Sequence, residues 1–135
     1  MDTPTHWEGA TSRLLYSEPQ LFALDIERSL RFYVDKLGFE IGFKYGDPAH
    51  YAQVIRDGAR LNLRHSDRTP FDPRFRTIEG DALSATIIVD GPERLFAELM
   101  GRGADFHQPL RSEEWGAQTF IVSDPDGNLV CFAGD

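Results

Sequence analysis

The sequence predicts an α+β fold of two βαβββ modules, with paired four-stranded mixed sheets forming a half-barrel cleft and the helices on the outside. Three observations predict it. Two stretches carry apolar residues at helical spacing; each is preceded by one short apolar run and followed by three; and turn residues separate the runs. A unit repeated at this period is one that cannot bury its apolar face alone, so the two copies are expected to share a core.

In the first module the opening run is residues 20–24. Asp25 is placed to cap a helix over residues 26–37, whose Leu30, Tyr33, Val34 and Leu37 form one stripe, and Gly38 stands where a left-handed residue ends a helix. Three runs follow, at residues 40–45, 50–55 and 60–64. Gly46-Asp47-Pro48 separates the first two and Asp57-Gly58 the last two, the latter a clear hairpin signal. In the second module residues 85–89 precede a helix that has Pro92 in its first turn. Its stripe is Leu95, Phe96, Leu99 and Met100, and Gly101 and Gly103 supply the stop. Runs at residues 105–110, 118–122 and 129–133 complete the copy, with Asp126-Gly127 as a turn. The expected organisation is a leader over residues 1–17 and one domain over residues 18–135. Within it, module one covers residues 18–66, a polar surface linker 67–83, and module two 84–133.

Alternation sorts the faces. Leu61 and Leu63 are expected under the first helix, which turns Arg60, Asn62 and Arg64 to the cleft. Ala85, Ile87 and Val89 are expected under the second, leaving Ser84, Thr86 and Ile88 inward. The result is a polar-lined concavity.

The chain has 135 residues, with 14 Lys and Arg against 22 Asp and Glu, a formal charge of −8. That balance, with no basic stripe, argues against nucleic acid or an anionic membrane surface as partner. It favours cationic small molecules, although acidity for solubility is common and charge alone selects no ligand. The first 20 residues lack a basic start followed by an apolar run, no stretch approaches membrane-spanning length, and one cysteine, Cys131, excludes an internal disulfide framework. A cytoplasmic protein is expected. No GxSxG, P-loop or GxGxxG occurs, and the histidines (His6, His50, His65, His107) form no HxH or HExxH spacing. They are read as hydrogen-bonding side chains, Cys131 as a small buried hydrophobe, and Asp124 and Asp126 as turn formers.

Three stretches carry a resemblance. PQLFALDIERSLRFYVDKLGF at residues 19–39, YAQVIRDG at 51–58 with the strand after it, and EWGAQTFIVSDPDGNLVCF at 114–132 resemble, in order, the bleomycin-resistance proteins of the vicinal-oxygen-chelate superfamily. The resemblance implies paired βαβββ modules and a homodimer in which the N-terminal strand is often exchanged between subunits, Pro19 matching the crossover. Superfamily enzymes of the glyoxalase and extradiol dioxygenase types hold a divalent metal with His and Glu from four strands. The matching positions here are Glu18, Asn62, Ser84 and Cys131, of which Glu18 alone is a plausible ligand, so no catalytic residue, metal or cofactor is expected. Tyr51 and Trp115 match positions that, in the family, sandwich the planar part of a drug between neighbouring subunits. Asp47, Glu113 and Glu114 are candidates for a cationic tail.

Arg60 and Arg64 depart from the drug-binding pattern, which has neutral or apolar residues there. They would disfavour a cationic glycopeptide and favour a carboxylated ligand. The implied function is capture of an aromatic, antibiotic-like small molecule in a dimer crevice without chemistry, with Tyr51, Trp115, Asn62, Arg64 and Arg60 as binding residues. The alternatives are a metal-dependent lyase, isomerase or dioxygenase, and a non-catalytic dimer that serves a protein partner.

Overall fold

The computed structural model describes residue 9 and residues 11–135. His6 and most of the predicted leader lie outside the described residues, and residues 11–19 form no helix or strand. Strand β1 (Gln20–Ala23), helix α1 (Ile26–Arg31) and strands β2 (Glu40–Tyr45), β3 (Tyr51–Arg56) and β4 (Ala59–His65) make the first module. Strand β5 (Ala85–Ile88), helix α3 (Pro92–Gly101) and strands β6 (Phe106–Ser112), β7 (Gln118–Ser123) and β8 (Leu129–Gly134) make the second. A short helix α2 (Pro73–Ile78) lies in the linker. The sheets are ordered β1-β4-β3-β2 and β5-β8-β7-β6, each with a parallel edge pair and two antiparallel pairs. This is the predicted α+β duplication.

Local chemistry explains the boundaries. The Asp25 carboxylate accepts from Arg28 N at 3.2 Å and caps α1. After Arg31 the helix widens into a π-helical turn, Phe32–Lys36, so the predicted single helix is two segments. Gly38 (φ 72°) then ends it in the left-handed region. The linker, read from the sequence only as a surface connection, holds a helix because Asp72 caps α2, accepting from Arg74 N at 2.7 Å, and Pro73 fits the first helical position. Met100 departs from its predicted place in the α3 stripe: Leu99 is fully buried while Met100 is 58% exposed, and the helix runs through Gly101 to stop at Gly103 (φ 77°).

One apolar core serves both modules. Leu21, Leu30, Tyr33, Leu37, Phe39, Leu61 and Leu63 from the first pack in one cluster with Leu99, Phe120, Val122, Val130 and Phe132 from the second. Each fully buried side chain of this size contributes about 1.5–3 kcal/mol, which is why neither half is expected to stand alone.

Polar bonds fix how the modules meet. The β7–β8 turn carries Asp124, Asp126 and Asn128, all buried. Asp126 Oδ1 accepts from Leu24 N (3.0 Å) and Arg28 Nη2 (3.2 Å), and its Oδ2 accepts from Ser29 Oγ (3.1 Å). Asp124 Oδ2 accepts from Tyr33 Oη and Asn128 Nδ2, each at 2.9 Å, while Oδ1 accepts from the amides of Asp126 and Asn128. Asn128 Nδ2 also donates to the Phe22 carbonyl at 2.9 Å. The turn carboxylates are thus turn formers, as predicted, and also a clasp between modules. Burial pushes the Asp124 carboxyl up against the pull of these donors, and burial, then Asp124, pushes the Tyr33 phenol well above its ordinary value. On the opposite side Arg56 makes a two-pronged bond to Glu98 (2.9 and 2.7 Å) and donates to the Leu37 carbonyl.

Candidate functional site

Register arranges the inner face of the first sheet in rows. Row one runs Tyr45, Tyr51, Arg64, Phe22 across all four strands, and row two runs Phe43, Gln53, Asn62, Gln20. Ile55 and Arg60 pair beyond them. The predicted alternation of β4 holds, since Leu61 and Leu63 are buried beneath the helix and their neighbours point the other way. A bulge between Ile41 and Phe43 brings the aromatic pair of β2 into these rows.

Row one and its aromatic neighbours form a stacking surface. The Phe43 and Tyr51 rings lie 5.8 Å apart and 22° from parallel, and Tyr45 meets the His50 ring edge-on at 5.5 Å. Gly46 permits this second contact: its φ is 96°, and a side chain there would strike the His50 imidazole. The Arg64 guanidinium stands 5.9 Å from the Phe22 ring. Gln20, Tyr45, His50, Tyr51, Arg64 and His65 line a shallow, open cavity of about 440 Å³, within the size range of small-molecule pockets.

Row two is satisfied internally. Gln53 Nε2 donates one proton to Glu18 Oε1 (2.6 Å) and the other to Asn62 Oδ1 (2.9 Å). Asn62, predicted to face a ligand, is therefore buried and engaged with Gln53. Arg60 also departs from the predicted grouping. Its guanidinium lies 4.2 Å over the Tyr16 ring, on the wall of a separate cavity of about 650 Å³ between the modules. That larger cavity takes its apolar floor from Leu37, Phe39, Ile87 and Phe132 and carries the Arg56–Glu98 pair, whose charges already satisfy each other.

Trp115 stands on the turn between β6 and β7, 76% exposed, and does not line the cavity that contains Tyr51. Its turn is held by Glu113 N donating to Ala117 O (2.7 Å) and Gly116 N to Glu113 O (3.0 Å). The Glu113 carboxylate accepts from Arg111 Nε and Thr119 Oγ1, both at 2.7 Å, and Arg111 holds its carboxyl below the usual range. As a holder for a cationic tail Glu113 is already engaged, while Asp47 and Glu114 are exposed.

The four superfamily ligand positions do not suit a divalent ion. Glu18 is bonded to Gln53, Asn62 offers an amide, and Ser84 Oγ donates to Asn128 Oδ1 at 3.1 Å. Cys131 is buried with Ile121 and Leu129, and burial, then Glu113, pushes its thiol up, away from the thiolate a metal requires. One carboxylate, an amide, a hydroxyl and a protonated thiol make a poor hard-metal set. Among the described residues no three His, Cys, Asp or Glu side chains cluster as metal ligands. His65 and His107 bond Asp67 (2.9 Å) and Asp81 (2.7 Å) at the surface, as hydrogen-bonding side chains do.

Of the residues sequence reasoning put forward, Tyr51 and Arg64 line this one cavity, and the neighbours Phe43, Tyr45, His50 and Phe22 were not among them. Phe43 and Tyr45 stand two residues apart in β2, on one face of the strand, which is the mark the sequence offers.

The comparisons with known proteins agree with this architecture. The family model described as the glyoxalase/bleomycin resistance protein/dioxygenase superfamily matches residues 16–132. The chain belongs to this superfamily. Within it, bleomycin resistance proteins of Geobacillus stearothermophilus and Staphylococcus aureus are 28% identical over 129 residues, covering 88% of this chain and 96% of theirs. A solved superfamily structure, the bleomycin-binding protein of Streptomyces verticillus complexed with copper(II)-bleomycin, is 26% identical with a TM-score of 0.72, covering 93% of this chain and 99% of that one. A glyoxalase/bleomycin resistance protein/dioxygenase from Alicyclobacillus acidocaldarius shares the fold at 24% identity and a TM-score of 0.70, covering 85% and 86%. No helix among the described residues is long and apolar enough to cross a membrane.

Proposed function

We propose that this protein captures an aromatic, antibiotic-like small molecule without transforming it, in the cytoplasm, at a crevice between two copies of the chain. The observation that carries the reading is the Phe43–Tyr51 stack beside the Tyr45–His50 contact, open to a cavity of drug-like size. Flat π faces bind flat guests, and among the described residues no three His, Cys, Asp or Glu side chains cluster here to hold a metal. The bleomycin-binding and bleomycin resistance relatives support the binding reading. A crevice between copies is supported by the bareness of Trp115 (76% exposed) and Ile88 (78% exposed), apolar side chains that a second copy would cover. In this arrangement Trp115 of one copy closes the stack begun by Tyr51 of the other.

The test is titration calorimetry with bleomycin and with simpler planar aromatics, with and without a divalent metal, alongside sedimentation of the free protein. One guest per chain, a dimer in solution, quenching of Trp115 fluorescence and indifference to metal are expected. A monomer, or no heat with any planar aromatic, would remove the reading. Turnover that appears only with a divalent metal would replace it with the enzyme alternative.

A further inference from the structure

The lining of the row-one cavity is at odds with the charge of the chain. The formal charge is −8, yet the six lining residues supply one guanidinium, two imidazoles, two phenols and an amide, and no carboxylate. Two nearby carboxylates are engaged: Asp67 bonds His65 at 2.9 Å, and Glu18 accepts from Gln53 in row two. Asp47, on the β2–β3 turn, is exposed and outside the lining. Among the described residues Arg64 takes part in no ion pair. It lies between Tyr51 and Phe22 in the same row, its charge facing aromatic rings and solvent.

We infer that this cavity selects a planar aromatic anion, whose ring lies on the Tyr51–Phe43 stack and whose carboxylate, or comparably acidic oxygen, meets Arg64. The inference rests on the aromatic-capture reading and adds the charge of the guest. A guanidinium offers a planar fork of donors that matches a carboxylate two-pronged, and a free fork beside a stacking face fixes both the plane and the polar end of a guest. The imidazoles of His50 and His65 and the phenols of Tyr45 and Tyr51 add donors to the same oxygen atoms. A cationic guest would find the tyrosine faces congenial, but it would meet Arg64 with no carboxylate in the lining to offset the repulsion.

Three probes of one ring system separate the possibilities: naphthoate, naphthylmethylammonium and the neutral naphthylmethanol, each titrated into the full chain at neutral pH. Naphthoate is expected to bind about tenfold more tightly than the ammonium probe, the scale of a single charge-assisted hydrogen bond. In Arg64→Gln this gap should close to about twofold or less, chiefly through lost naphthoate affinity, with the thermal midpoint unchanged, because Arg64 is an exposed side chain whose role is charge rather than packing. If the ammonium probe binds as well as naphthoate or better, or if Arg64→Gln keeps the preference, the charge selection is wrong while aromatic capture stands. If none of the three binds, aromatic capture itself fails and takes this inference with it.

Discussion

The Tyr33 phenol donates to Asp124 Oδ2 at 2.9 Å with both groups buried, so a side chain from the π-helical turn after α1 ends on a turn 91 residues further along the chain. The bond is one of several polar ties between the modules, beside those of Asp126, Asn128 and the Arg56–Glu98 pair, and it needs the phenol to keep its proton.

Alkaline pH should therefore loosen the fold. The folded Tyr33 phenol is pushed well above the ordinary tyrosine value of 10.0, so above that value the unfolded chain releases a proton that the folded chain retains. The native state then binds more protons, and stability falls as pH rises. Tyr33→Phe should cost about 1.5 kcal/mol at neutral pH, the loss of one bond to a carboxylate that keeps three other donors. It should also flatten the alkaline limb. Urea unfolding at several pH values reads both effects.

Asp126→Ala should be more damaging. Its carboxylate receives the Leu24 amide, Arg28 and Ser29. Removing it strands a buried hydroxyl and a backbone amide, for a loss of about 3 kcal/mol. A midpoint shift in urea worth less than about a third of that would mean that water substitutes for the clasp.

The Arg56–Glu98 pair should act at the acid end. Two guanidiniums hold the Glu98 carboxyl below its ordinary 4.5, Arg56 first. Its contribution is present above that value and fades as pH falls through the depressed folded value. The Glu98 side chain is 36% exposed, and solvent screening limits the effect to about 0.5–1 kcal/mol. Glu98→Gln should lose that amount at neutral pH and nothing at the acid extreme. Asp124, whose carboxyl is raised, works with the opposite sign, but it is common to both proteins and cancels in their difference.

Tyr51→Ala and Trp115→Ala should each weaken capture of a planar aromatic by about tenfold, the scale of one stacking face. Trp115→Ala should leave the fold of each chain unchanged by circular dichroism, because its indole is 76% exposed in the single chain. Comparing the two variants by calorimetry and thermal melting separates a stacking residue from a sheet aromatic that only packs.

Much of the fold was legible because its signals are local. The Asp25 cap, the Asp57-Gly58 hairpin and the alternation of Leu61 and Leu63 against Arg60, Asn62 and Arg64 each follow from neighbours in sequence, and each appears as read. What escaped was register and pairing at a distance. The bulge in β2 that brings Phe43 and Tyr45 into the rows leaves no local mark beyond Gly42, and the ties from Asp124, Asp126 and Asn128 reach residues about a hundred positions away. Arg60 and Arg64 look equivalent in the strand, yet the sheet sends one to Tyr16 and the other toward Phe22. The Asp72-Pro73 start of α2 was visible but sat inside a stretch whose polarity read as connection.

The clasp has one more consequence, for solubility. Strand β1 is an outer strand; Pro19 and Ala23 turn their carbonyls inward to β4, which leaves the Phe22 carbonyl and the Leu24 amide on the open side. Those are the groups that Asn128 and Asp126 occupy. An open strand is a template on which stray chains can add, and here the turn of the second module plugs it. A chain with Asn128 and Asp126 both replaced by alanine would lose that plug and should gather into β-rich aggregates at concentrations where the parent stays dispersed.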